Sequence, residues 1–343
     1  MSSVPSMSSC ACWSERGTAC GRRTAPVILP LKGAGAACGP GWPPGSFRVI
    51  ISSMKTGNRL QVIVYCIFPL LLYYVVYEAA VFLLYTAAEY AAAAQGTAAV
   101  RWLSAHAGDV SAVIGALSMA AGIFVIRRTA AREAPRRRVV CPGKVKAAPA
   151  DISCGVIFAL SAAIFLNLVF SMSGVSAADA GAESAAAQTA AVSLPLGILY
   201  YGLLSPFIEE TVFRGITYGR IRAVLCERSA EEILRKEKED APGESRKCYG
   251  AAAILSSLLF GIYHGNPVQG CYAFCMGLIF CGFLEMTGSL TGTALLHGAV
   301  NVMVLILSQS GLYARLNTPA WLAAFLAVAA CSGIFLGVSK SKS

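Results

Sequence analysis

Apolar residues in this chain come in blocks rather than in alternation. They run near 60–85, 108–127, 152–174, 190–209, 249–265, 268–286, 288–309 and 319–338, with short polar or basic stretches between them. A hydrocarbon layer about 30 Å thick is crossed by about 20 residues of helix. The pattern therefore predicts an all-α, polytopic membrane protein of about eight transmembrane helices. The run at 249–265 is short and is interrupted by His264 and Pro267, so it is expected to be tilted or broken. Ala-rich 86–100 is expected to extend the first helix at the membrane surface, and no internal repeat is visible.

Composition sharpens that picture. The chain is 56% hydrophobic and 13% charged, with a mean hydropathy of +0.62, whereas a soluble domain carries about 25% charged residues. The net charge of +10 reflects Lys and Arg concentrated in connections. No basic stripe with interleaved aromatics accompanies them, so nucleic acid is not an expected partner. Basic connections orient membrane helices, with the positive side in the cytoplasm. Arg127, Arg128, Arg132, Arg136, Arg137 and Arg138 follow the second run, and Arg214, Arg220 and Arg222 follow the fourth. Lys340 and Lys342 end the chain, while 175–189 holds Asp179 and Glu183 with no Lys or Arg. Both termini are thus expected in the cytoplasm and 175–189 outside, in a multi-pass protein of a prokaryotic-type plasma membrane.

Four segments follow. Residues 1–53, rich in Ser, Gly, Pro, Cys and Arg, are expected to be a disordered extension, or an over-long translation ahead of Met54. Residues 54–189 form N-terminal transmembrane helices, 190–310 a catalytic core, and 311–343 a last helix with a basic tail. In the connection at 226–248, Glu231 with Arg235 and Glu232 with Lys236 are favourable i,i+4 pairs of a solvated helix. The 13 cysteines are mostly scattered in apolar runs and are expected to be inert small hydrophobes.

Ionisable groups inside apolar runs cost from about 3 kcal/mol upward and mark function. Glu209 and Glu210 end one run, in E-E-T-V-F-R; His264 ends F-G-I-Y-H; His297 and Asn301 lie in H-G-A-V-N. Together they predict an intramembrane polar cavity. On a helix Glu210 faces Arg214, four residues on, and is held ionised. Glu209 points about 100° away, free to act as a general base. His297 and Asn301 share a face and can donate to a developing oxyanion. His264 is placed to position a water or its metal. The remaining histidine, His106, lies between the first two runs and is expected to be incidental.

The ordered trio E-E-x-x-x-R, F-x-x-x-H and H-x-x-x-N resembles the CPBP family of membrane endopeptidases, the CAAX-protease and bacteriocin-processing (Abi) group. The resemblance covers roughly 190–310. It implies an eight-helix fold with a cavity opening to the cytoplasmic side, and cleavage of a peptide bond in a membrane-associated or lipidated substrate, either a CAAX-like tail or a bacteriocin-type precursor. It implies catalytic roles for Glu209, His264, His297 and Asn301, supported by Glu210 and Arg214. A water activated by Glu209, without metal, is the preferred chemistry; the alternative is Zn2+ held by His264, His297 and Glu209. Two readings from other classes stay open: a non-enzymatic membrane scaffold or immunity protein, and a proton-coupled transporter.

Overall fold

The computed structural model describes residues 59–133, 147–225 and 242–342. The extension at 1–53 and the Glu231–Arg235 and Glu232–Lys236 pairs lie outside them. Every regular element among the described residues is a helix. They are α1 (Arg59–Gln95), α2 (Thr97–Ala105), α3 (Ala107–Glu133), α4 (Pro149–Met172), α5 (Val175–Ala178) and α6 (Ala180–Ala191). There follow α7 (Leu194–Leu225), α8 (Pro242–Tyr263), α9 (Pro267–Thr287), α10 (Leu290–Gln309), α11 (Leu312–Leu316) and α12 (Pro319–Lys342).

Local chemistry sets the boundaries. Pro267 starts α9, where its missing N–H costs nothing, and Asn266 caps that helix by accepting from the Gln269 amide at 2.9 Å. Gly288 ends α9 in the left-handed region (φ 65°), and Ser289 then caps α10 by accepting from the Gly292 amide at 2.9 Å. Asp179 does two jobs. Its Oδ1 accepts from the Gly181 and Ala182 amides at the start of α6, and its Oδ2 accepts from the Val268 amide at the start of α9.

The molecule is an all-α polytopic membrane protein. Among the described residues six helices (α1, α3, α4, α9, α10 and α12) are long and apolar enough to cross a bilayer. α6 and α7 form a pair bent by 118°, which makes up to seven, and the apolar part of α8, Cys248–Tyr263, is shorter. The expected count of eight differs for two reasons. The fourth run begins beyond a sharp bend, and the fifth stops at His264. Residues 175–189, expected as a connection, are largely helical, and 86–95 continues α1 unbroken. α12 is the least covered span, with 11% of its apolar window buried, as expected of a lipid-facing helix.

The bundle has two chemically distinct ends. At one, Asp109 Oδ1 accepts from the Ser193 amide (2.7 Å), Gln309 Nε2 donates to the Val192 carbonyl (2.8 Å), and Asn317 Nδ2 donates to Ser171 Oγ (3.1 Å). The Asp179–Val268 bond lies at the same end. At the other, Arg222 pairs with Glu285 at 2.8 Å, and Tyr218 donates to the same carboxylate at 2.7 Å. The connections leaving this second end carry the arginine clusters of the sequence. Among the described residues Cys154, Cys271, Cys275, Cys281 and Cys331 are free thiols, whereas Cys248 is disulfide-bonded.

Candidate active site

The site is built on an irregular stretch of α7. Ile198–Leu204 and Thr211–Tyr218 are π-helical, and the turn between them, Ser205–Glu210, is α-helical. π-helical turns displace backbone groups from their usual partners and cluster at functional sites. Pro206 contributes by having no N–H to donate. In the π register set by the Ser205 amide bonding to the Tyr200 carbonyl, the Tyr201 carbonyl loses its helical partner. Asn301 Nδ2 donates to that carbonyl at 3.0 Å. Further along, Ser256 Oγ donates to the Phe213 carbonyl and Thr217 Oγ1 to the Val212 carbonyl, both at 3.0 Å. Exposed carbonyls at membrane depth need such partners.

α10 meets α7 almost backbone to backbone. A Cβ on Gly298 would lie 1.9 Å from the Gly202 carbonyl oxygen, and one on Gly202 would lie 2.4 Å from Val302 Cγ2. Small residues permit such approaches between membrane helices. Gly298 is flanked by His297 and followed by Asn301, so this contact delivers both to the carboxylates. A similar contact between Gly261 and Gly270 closes α8 onto α9 and fixes the turn that carries His264.

The structure brings all four expected catalytic residues to one cavity of about 550 Å³. Glu209, His264, His297 and Asn301 line it, and the supporting Glu210 and Arg214 stand behind the lining. Glu209 is 7% exposed and accepts a hydrogen bond from Ser205 Oγ at 2.6 Å through Oε1. Its Oε2 is 3.9 Å from His297 Nε2. Glu210 is fully buried and serves two partners through Oε1: Arg214 Nη1 at 3.0 Å and His297 Nδ1 at 2.9 Å. A carboxylate can only accept, so His297 Nδ1 donates, and Nε2 faces Glu209. His264 is arranged alike, with Nδ1 donating to the Phe260 carbonyl at 2.8 Å.

Arg214 is 1% exposed and meets Glu210 as an ion pair without in-line hydrogen-bond geometry. Aromatic faces supply the rest of its environment: its guanidinium sits 4.3 Å from the Phe260 ring centre and 5.4 Å from that of Phe280. Phe280 also stacks on His297, centroid to centroid 4.6 Å. Removing one member of such a buried pair strands the other charge at a cost of about 3–5 kcal/mol. Arg214→Ala and Glu210→Ala are thus each expected to lower the thermal midpoint in detergent by several degrees. Unchanged melting in both would show that the pair contributes nothing to stability.

Ser205, Pro206 and Phe280 belong to the site beyond the residues of the three motifs, and Phe260, which opens F-G-I-Y-H, covers Arg214. The i,i+4 spacing of Ser205 to Glu209 was available in the sequence. The packing of Phe260 and Phe280 on Arg214 was not, since the two rings come from two other helices. His106 hydrogen-bonds the Trp102 carbonyl at 2.9 Å and stacks on Trp102, away from the cavity. The cavity's deepest lining residues are Glu209, Phe280 and His297, and all the others lie toward the end held by Asp179 and Gln309. That is the end which the charges of the sequence place outside. A cytoplasmic opening and the charge-based orientation therefore conflict.

A buried polar site within a helical membrane bundle defines the class: an intramembrane enzyme-like cavity built on a broken helix. The family model described as type II CAAX prenyl endopeptidase Rce1-like matches residues 191–303. This segment holds all three motifs, and over it the chain is similar to the CPBP/CAAX protease family, a family of peptidases. No curated protein and no solved structure matches the chain.

Proposed function

We propose that the protein hydrolyses a peptide bond of a membrane-associated or lipidated substrate with a water activated by Glu209. One observation carries this reading: Glu209 has one carboxylate oxygen fixed by Ser205, while the other faces His297 in a cavity shared with His264 and Asn301. Glu209 takes the proton of the attacking water. His264, whose Nδ1 is committed to a carbonyl, offers Nε2 as an acceptor that orients this water. The tetrahedral intermediate places negative charge near His297 and Asn301. Glu209 hands the water's proton on to His297 Nε2, 3.9 Å from its Oε2, while Glu210 holds the ring in place at Nδ1, and the Nε2–H then faces the intermediate. Asn301 uses one amide hydrogen on Tyr201 and has a second to give. His297 then passes that proton to the leaving amine, which returns both Glu209 and His297 to their starting states.

Zinc was the alternative chemistry, with His264, His297 and Glu209 as ligands. Among the described residues no three His, Cys, Asp or Glu side chains converge as metal ligands do. The donor set as it stands does not fit the ion, and no step is drawn through it. The test is purified protein in detergent with a lipidated peptide, read by mass spectrometry. Cleavage is expected and should survive thorough chelation. Zinc at one per chain, lost with activity and restored with it, would replace the water mechanism by a metal one. No cleavage across a broad peptide set would favour a scaffold or transporter.

A further inference from the structure

One carboxylate of the cavity has no part in the chemistry above. Glu78 lines the same cavity as Glu209, His264 and His297, and it is exposed at the rim. It is one of two charges in the span Leu60–Gln95. Its depth follows from packing. α1 and α3 run antiparallel, with Tyr73 against Gly122 and Tyr85 hydrogen-bonded to Ser111. Glu78 is therefore level with residues 117–118, the middle of the span Ala107–Ile126. A carboxylate at that depth is costly and marks a function, usually with a partner. Its polar neighbour on the helix is the Tyr74 hydroxyl, one turn earlier. Among the described residues no Lys or Arg pairs with it, and none lines the cavity.

A wall of tyrosines stands beside this carboxylate. Tyr74 and Tyr77, on the same stretch of α1, both meet Tyr263 of α8, with ring centroids 6.1 and 6.3 Å apart. All three line the cavity, and Tyr263 meets the His264 ring at 5.7 Å. The wall thus leads from Glu78 to one of the histidines of the site. Aromatic rings attract cations, and most strongly where water is excluded. The protein uses this combination once already: Arg214 lies among the Glu210 carboxylate and the Phe260 and Phe280 rings. At the rim the chain supplies a carboxylate and rings but no cation of its own.

We propose that Glu78, with Tyr74, Tyr77 and Tyr263, forms a specificity subsite for a Lys or Arg side chain of the peptide, close to the bond that is cut. This deepens the hydrolytic reading above and rests on it. The cation comes from the peptide rather than from a lipid headgroup, because headgroups lie at the membrane surface and Glu78 at mid-depth. A long basic side chain suits the place: its apolar stem runs along the rings while its charged end meets the carboxylate. Glu78 selects the peptide and takes no part in the proton transfers, so it is a specificity residue and not a catalytic one.

Binding separates this subsite from hydrolysis. Full-length protein carrying Glu209→Gln is purified in detergent, and a fluorescent apolar peptide carries Lys, norleucine or Glu at each position in turn. At one position Lys should bind about tenfold tighter than norleucine, and Glu more weakly than either. Adding Glu78→Gln should remove that preference, and adding Glu78→Lys should turn it toward the Glu peptide. No preference for Lys at any position overturns the proposal, and so does a preference that survives Glu78→Lys. Equal weakening of all three peptides by both changes also overturns it, because that is the mark of a merely structural residue. The same peptides are then offered to protein with Glu209 intact, and cleavage is read by mass spectrometry. Cleavage without a Lys preference removes the subsite and leaves the hydrolytic reading in place. A Glu78-dependent Lys preference in binding, with no peptide cut, does the reverse: the hydrolytic reading fails, and the cation subsite stands without it.

Discussion

Glu209→Gln is expected to lower peptide hydrolysis by about 10² to 10⁴, with no loss of folding. Gln has the shape of Glu and accepts the Ser205 hydroxyl as readily, so the 2.6 Å contact survives the exchange. What disappears is the ability to take a proton from water. Nothing in the packing depends on the charge of Glu209, because Arg214 is paired to Glu210 instead. The two neighbouring carboxylates therefore separate by phenotype. The Glu209 variant melts like the parent and does not turn over. The Glu210 variant melts early, since it releases both Arg214 and His297. Substrate binding, measured with the inactive Glu209 protein, should be little changed, because a base acts on a proton that moves only during reaction. Activity within tenfold of the parent would take Glu209 out of the mechanism and direct attention to His264.

Much of this was legible in the sequence, and the reasons are physical. The 3.6-residue repeat makes Glu210 and Arg214 neighbours in any helix, and the pair is present even though Thr211 opens a π-helical segment. Apolar length announces membrane helices for the same reason, because backbone groups in lipid must bond to one another. The hidden features depend on contacts between distant segments. Glu210 is a partner of His297 across 87 residues, and Asn301 of the Tyr201 carbonyl across 100. No spacing rule reaches that far. The role of Asn301 as a neighbour of His297 on one helix face was readable; its tie to a carbonyl freed by Pro206 was not. The bend between α6 and α7 was equally hidden. An Ala-rich stretch without Lys or Arg reads as a connection, and only its capping by Asp179 and its packing make it a helix over the cavity.

Gly298→Ala is expected to be nearly as damaging as the loss of Glu209, although the residue has no chemistry. Its added methyl would sit 1.9 Å from the Gly202 carbonyl oxygen, a backbone atom that no rotamer change can move aside. Overpacking of this kind typically costs about 1–3 kcal/mol, occasionally more, and here it can be relieved only by separating α10 from α7. That separation acts on the site directly. His297 precedes Gly298, and its 2.9 Å bond to Glu210 crosses the same interface; Asn301, one turn on, makes its 3.0 Å bond to Tyr201 there as well. A displacement of about 1 Å in such a constellation costs roughly 10² in rate. Gly298→Ala should thus lower the melting temperature and reduce turnover by about that factor together. Gly282, on α9, has open space where its Cβ would go, so Gly282→Ala should leave both quantities near those of the parent. Equal, parental behaviour of the two variants would mean that the close crossing of α7 and α10 does not position the site.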